Sequence, residues 1–149
     1  MEVKIQKEFI DTGFGFPVQL LNVPMVKVRG QWTPQLNYNE LGRVLLRALS
    51  HKPSRLTGNE IKFIRTHFEM TLQSFAKRFC VTHVGVMKWE KCLNRPTSMN
   101  WATEKDIRLF VLTRLAVKAQ EFASLYDELQ FAPEGKVEPI HLDAKKLAA

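Results

Sequence analysis

The sequence predicts a mainly α fold, a helical core with a small N-terminal antiparallel β element and a long C-terminal helix. Three observations carry this. Asn37 and Thr57 each stand three positions before a glutamate, Glu40 and Glu60, the spacing of a capping box at a helix start. Apolar residues recur at helical spacing from Leu41 to Leu129. Strand character is confined to residues 16–33.

Residues 1–15 carry Phe9 and Phe14 beside a Gly-Phe-Gly run and predict no defined element. From Phe16 to Thr33, Val26, Val28 and Trp32 suggest one face and Lys27 and Arg29 the other. Asn22-Val23-Pro24 and Gly30 read as turns, so this is a two- or three-stranded antiparallel piece. Such a piece is marginal alone and must pack on something. The first helix begins at Asn37, with Leu41, Val44, Leu45, Ala48 and Leu49 as its stripe. Ser50-His51-Lys52-Pro53-Ser54 closes it as a short basic linker. Thr57 opens the second helix, which turns Ile61, Ile64 and Phe68 inward. Thr71 opens the third, with Leu72, Phe75, Ala76 and Phe79 apolar. Cys80-Val81 makes a turn, and Thr82 caps a fourth helix that buries Val86 and Trp89. After Asn94-Arg95-Pro96, a helix opening at Asn100 or Thr103 runs to about Gln130. Its stripe is Ile107, Phe110, Val111, Arg114, Leu115, Ala119, Phe122, Leu125, Tyr126 and Leu129. At roughly 28 residues it would span about 40 Å. Either it is broken in the middle or its far half packs on a second subunit. The tail from Pro133 is expected to be loosely held. The divisions are therefore 1–36, a β-rich segment; 37–98, the helical core; 99–131, the long helix, expected to dimerise; and 132–149, the tail.

Composition narrows the class. At 149 residues, 45% hydrophobic and 25% charged, the chain can bury a core without staples. Cys80 and Cys92 are too few for a disulfide framework. No CxxC pair or four-ligand Cys/His set exists, so no metal is expected. No apolar run approaches 18 residues and no signal core is present, which predicts a cytoplasmic protein with no membrane partner. The net charge of +7 is localised. Residues 1–40 hold four basic and four acidic side chains, residues 41–95 eleven and three, and residues 96–149 seven and eight. A basic excess over one helical segment points to phosphates.

The segment Leu56–Pro96 resembles the Xre or phage-repressor type of helix-turn-helix. The likeness lies in a helix, then Thr71-x-x-x-Phe75-Ala76, a turn, and Val81-Thr82-x-x-x-Val86-x-x-Trp89-Glu90. It implies a transcriptional regulator, in the repressor manner, that binds double-stranded DNA sequence-specifically. A homodimer would read a palindromic operator. The base-facing positions it implies are His83, Val84 and Lys88, flanked by Gly85 and Met87. Lys88 would donate to guanine, His83 to an acceptor edge, and Val84 would touch a thymine methyl. Gly85 would allow close approach to the groove or close helix packing. Thr71, Gln73, Ser74, Thr82, Lys91 and Arg95 would meet phosphates. The family also pairs an arginine of its first helix with the glutamate closing the recognition helix, here Arg65 and Glu90. Leu72 departs from the family's glutamine, and Cys80 and Cys92 from its glycines. LTGNEIKFIR, preceded by a β-rich segment and followed by Trp89-Glu90 and Pro96, is more widely similar to MqsA-type antitoxins and related regulators. That likeness implies autoregulation and a toxin protein as partner; without CxxC pairs, zinc does not carry over.

The alternative is a protein-interaction module that uses the helix-turn-helix as a scaffold, with no operator of its own. Enzymatic function is not expected. Asp11, Asp106, His51, His67, His83 and His141 form no acid–base or metal constellation by spacing, and no Gly-rich phosphate loop is present. No catalytic residue and no cofactor are predicted.

Overall fold

A computed structural model describes residues 2–149 and replaces the mainly α expectation with a mixed α/β fold. In chain order the elements are β1 (Val3–Asp11), β2 (Val18–Val28), β3 (Gln31–Pro34), α1 (Tyr38–Ser50), α2 (Gly58–His67), α3 (Leu72–Arg78), α4 (His83–Glu90), α5 (Trp101–Arg114), α6 (Ala119–Glu128) and β4 (Ile140–Asp143). They form two compact units, residues 1–45 with 139–149, and residues 46–138. The division falls within α1.

The first unit is built on a four-stranded mixed sheet. β1 runs antiparallel to β2 from Val3↔Val26 to Asp11↔Val18. On the other side of β2, β3 pairs antiparallel with Met25–Val28 and β4 pairs parallel with Val18–Leu21. The β2–β3 reversal uses Arg29 and Gly30, both at positive φ (51° and 79°), as two-residue hairpins require. Asn22-Val23-Pro24, expected as a turn, instead continues β2. Asn22 is left-handed (φ 55°), and the buried positions switch from Val18 and Leu20 to Val23 and Met25. Pro24 lies between the stretches paired by β3 and β4, and its carbonyl accepts from Gln35 N at 2.8 Å. A missing N–H there costs no ladder bond. From Ile140 the tail, expected to be loosely held, pairs in the sheet. Ile140 and Leu142 are buried in β4, Ala144 N donates to Leu21 O, and Asn37 N donates to Leu147 O. Asn37 also accepts from Glu40 N at 3.1 Å, which caps α1.

In the second unit, the predicted long C-terminal helix is a hairpin of α5 and α6. After α5, Ala116 takes φ 53°, with Ala116 N on Thr113 O and Val117 N on Leu112 O. That is a Schellman stop. Leu109 and Leu112 then pack on Leu125 and Leu129, with Trp101, Val117 and Phe122 around them. Trp101 Nε1 donates to Leu129 O at 2.9 Å. Much of the apolar stripe assigned to dimerisation is satisfied within one chain.

In the basic linker after α1, His51 is exposed but Lys52 and Ser54 are buried. Lys52 is buried and bonds both Glu60 oxygens at 2.7 and 2.9 Å. Arg108, fully buried, bonds Glu104 and the carbonyls of Lys52 and Ser54, while Arg55 bonds the other Glu104 oxygen. Burial pulls the Arg108 guanidinium down, and Glu104 opposes that shift. The network closes on itself and holds the chain from α1 to α2 against α5.

Candidate nucleic-acid interface

Thr82 starts α4, its hydroxyl accepting from Gly85 N at 3.0 Å. Val86 is completely buried and Trp89 half-buried, which fixes the helix's rotation. His83, Val84, Met87 and Lys88 are then all exposed, Val84 at 47% and Met87 at 37%. Their spacing, 83 with 87 and 84 with 88, places them on one side of the helix. Gly85 lies at the edge of this surface. A Cβ there would meet only the Thr82 hydroxyl, at 3.3 Å, among the described residues. The helix-packing role considered for Gly85 therefore has no neighbouring helix to serve.

Two contacts set the angle of α4. Arg65, on α2, donates Nε and Nη2 to the two oxygens of Glu90 at 2.7 and 3.0 Å, and Nη1 to Met70 O at 3.0 Å. Both side chains are mostly buried, at 13% and 12% exposure. Parallel guanidinium–carboxylate bonds fix orientation as well as distance. The Glu90 hydrogen bond holds the Arg65 guanidinium above its ordinary value, although burial works against it. The second contact involves Gly58, a residue the sequence reading did not single out. A Cβ there would fall 2.3 Å from Trp89 O and 2.9 Å from Leu93 N. Glycine lets the start of α2 press against the end of α4, where Asn59 N donates to Leu93 O. Its signal was a glycine at the first helical position directly after a strong cap.

Thr71, Gln73, Ser74, Thr82, Lys91 and Arg95 are all exposed. Thr71 caps α3 by accepting from Ser74 N, and Ser74 Oγ donates to Thr71 O. As acceptors in their caps, the Thr71 and Thr82 hydroxyls each retain a proton for a phosphate oxygen. The basic excess is smaller than the sequence suggests, because Arg47, Lys52, Arg55, Arg65 and Arg78 all hold carboxylates. Lys62, Lys77, Lys88, Lys91 and Arg95 remain exposed, with no ion pair among the described residues. Lys62 and Lys77 were not among the expected contacts; their only signal was charge on an amphipathic helix.

The departures from the family pattern have local explanations. Leu72 is half-buried at the first position of α3. Cys80 takes φ 59°, the conformation for which glycine is the usual choice. After α4 the left-handed residue is Leu93 (φ 56°), not Cys92, whose thiol donates to Lys88 O. Among the described residues no group of His, Cys, Asp and Glu gathers as metal ligands would, and no helix is long and apolar enough to cross a membrane. Compared with family models, curated proteins and solved structures, the chain finds no match, and the helix-turn-helix likeness rests on its motif residues alone.

Proposed function

We propose that the protein is a sequence-specific double-stranded DNA-binding transcriptional regulator that acts as a homodimer on a palindromic site. One observation carries the reading: His83, Val84, Met87 and Lys88 form an exposed side of a helix whose other side is anchored by Val86 and braced by Arg65–Glu90. Lys88 offers a donor for guanine O6 or N7, His83 a donor for an acceptor edge, and Val84 a methyl contact for thymine. Lys91, Arg95, Thr71 and Thr82 supply phosphate contacts that set register without reading sequence.

The test begins with selection of a preferred site from random duplexes. Lys88→Ala is expected to weaken the selected site by roughly 5- to 150-fold, corresponding to about 1–3 kcal/mol, and to relax preference at one base pair. Lys91→Ala is expected to weaken all sequences alike and to lower the slope of log K against log salt by about 0.9. No sequence preference, or a salt slope near zero, sinks the proposal. The antitoxin role belongs to this reading, and its test is rescue of growth against a ribonuclease-like toxin encoded by the adjacent gene.

A second reading, a protein-interaction module, is favoured by the exposed Val3, Ile5 and Ile10 of β1. Under that reading, His83→Ala and Lys88→Ala leave partner binding unchanged.

A further inference from the structure

We propose that α4 reads a guanine with C5-methyl groups beside it: Lys88 takes the guanine, and Val84 and Met87 each cover a pyrimidine methyl. This deepens, and rests on, the DNA-binding reading above, and it names the base chemistry of the half-site. Lys88 is exposed, with no ion pair among the described residues, and its ammonium donates without accepting. In the major groove guanine shows two acceptors, O6 and N7, whereas adenine and thymine show one each. A donor-only group therefore favours guanine.

Adenine is gripped by a side chain that donates to N7 while accepting from N6, the work of an asparagine or glutamine amide. α4 has neither residue. The two ring nitrogens of His83 point to different sides of the imidazole, so they do not span N6 and N7 together. Glu90, the only carboxylate of α4, has both oxygens on Arg65. Asn94, beyond the helix, accepts from Asn59 Nδ2 with its Oδ1 at 2.9 Å. What the face does offer is methyl surface. Met87 and Lys88 stand three and four positions after Val84, so each lies roughly 5–6 Å from it at Cβ. Bases stack about 3.4 Å apart along a strand, which puts the covered methyls one or two steps from the guanine. Among the ordinary bases only thymine carries a methyl in the major groove, and 5-methylcytosine presents the same group.

The test uses the full chain and sites selected from two random duplex libraries, one ordinary and one with 5-methylcytosine in place of cytosine. Selection is expected to return half-sites with a guanine and two C5-methyl pyrimidines within two steps of it. Thymines in the ordinary library assign the methyls to thymine; tighter sites from the methylated library, with 5-methylcytosine at those positions, assign them to the modified base. Removing either methyl, by deoxyuridine for thymine or cytosine for 5-methylcytosine, should weaken binding by about fourfold. Replacing the guanine by 7-deazaguanine should weaken it by about fivefold or more. Each loss should vanish in its matching variant: one methyl becomes silent in Val84→Ala, the other in Met87→Ala, and the guanine N7 in Lys88→Ala. All three side chains are exposed, so these variants should keep the fold. A selected site indifferent to removal of every pyrimidine methyl overturns the assignment. So does dependence on an adenine N7 that Gln73→Ala abolishes. Either result leaves sequence-specific DNA binding standing, whereas no preferred site in either library overturns the regulator reading itself.

Discussion

Cys80 sits in the left-handed region immediately after α3, with its N–H on Lys77 O and Val81 N–H on Ala76 O. Glu69 after α2 and Ala116 after α5 make the same Schellman arrangement at φ 55° and 53°. Glycine enters this region without the Cβ penalty, which is about 1–2 kcal/mol for other residues, but loses more entropy on folding. Cys80→Gly is therefore expected to stabilise the protein by about 0.5–1 kcal/mol, read from the denaturant midpoint. An unchanged or lower midpoint would show that the thiol makes a contact that offsets the strain. Cys80 is exposed, which argues against such a contact.

The orientation of α4 depends on two features of α2. Gly58→Ala forces a Cβ onto the backbone of Trp89 and Leu93, which cannot swing aside as a side chain does. We expect a loss of about 1–3 kcal/mol in unfolding free energy, the range of overpacking substitutions. A neutral effect there would mean that α2 and α4 are free to separate. Arg65→Ala leaves Glu90 mostly buried without its partner and frees Met70 O. Its expected cost is about 3 kcal/mol, toward the lower end for breaking a buried pair, against less than about 0.5 kcal/mol for the exposed Lys62→Ala. Equal unfolding midpoints for these two variants would remove the brace from the account. Under the proposed DNA-binding reading, either α2 variant should also weaken DNA binding beyond its effect on stability, because it changes the angle of α4.

Across the whole chain, the formal charge of +7 is a poor guide to the charge a partner meets. Many of the cations between 41 and 95 are engaged by carboxylates, several of them buried. Glu121 of α6 accepts hydrogen bonds from Arg47 on both oxygens, and His51, just past the end of α1, lies 3.0 Å from Glu121 Oε2. Arg47 holds the Glu121 carboxyl below its ordinary 4.5, with His51 adding to the shift. A depressed carboxylate contributes stability above its unfolded value and loses it as pH falls through the folded one. Glu121→Gln is expected to cost at most about 1 kcal/mol at neutral pH, because Arg47 is largely exposed and the pair is screened. The difference from the unchanged protein should shrink below pH 4.5 and disappear in stronger acid. A cost that persists there would assign Glu121 a packing role instead.

Local chemistry made α1 to α4 legible. The caps at Asn37, Thr57, Thr71 and Thr82 act on neighbouring N–H groups, and the stripes through Leu45, Ile61, Phe75 and Val86 follow one helix period. A cap needs only its own turn, so three or four residues suffice to show it. Arg65 and Glu90 were linked only through a family pattern; no local rule joins residues 25 apart. Tertiary structure decided the rest. The break in the C-terminal helix lies at Ala116, where no glycine or proline marks it, and it is favoured by the packing of Leu112 on Leu125 and Leu129. β1 was hidden because Val3, Ile5 and Ile10 stay exposed while Gln6 and Asp11 are among its more covered residues, so apolar spacing does not mark its covered face. β4 was hidden because Ile140 and Leu142 become strand residues by pairing with β2, far away in sequence. Burial of Lys52 and Arg108 was equally unreadable, since a charge enters a core only when the fold brings it an opposite charge and hydrogen-bond partners. The sequence could set each helix start and the face it turns inward; which faces meet depended on contacts between residues that only folding brings together.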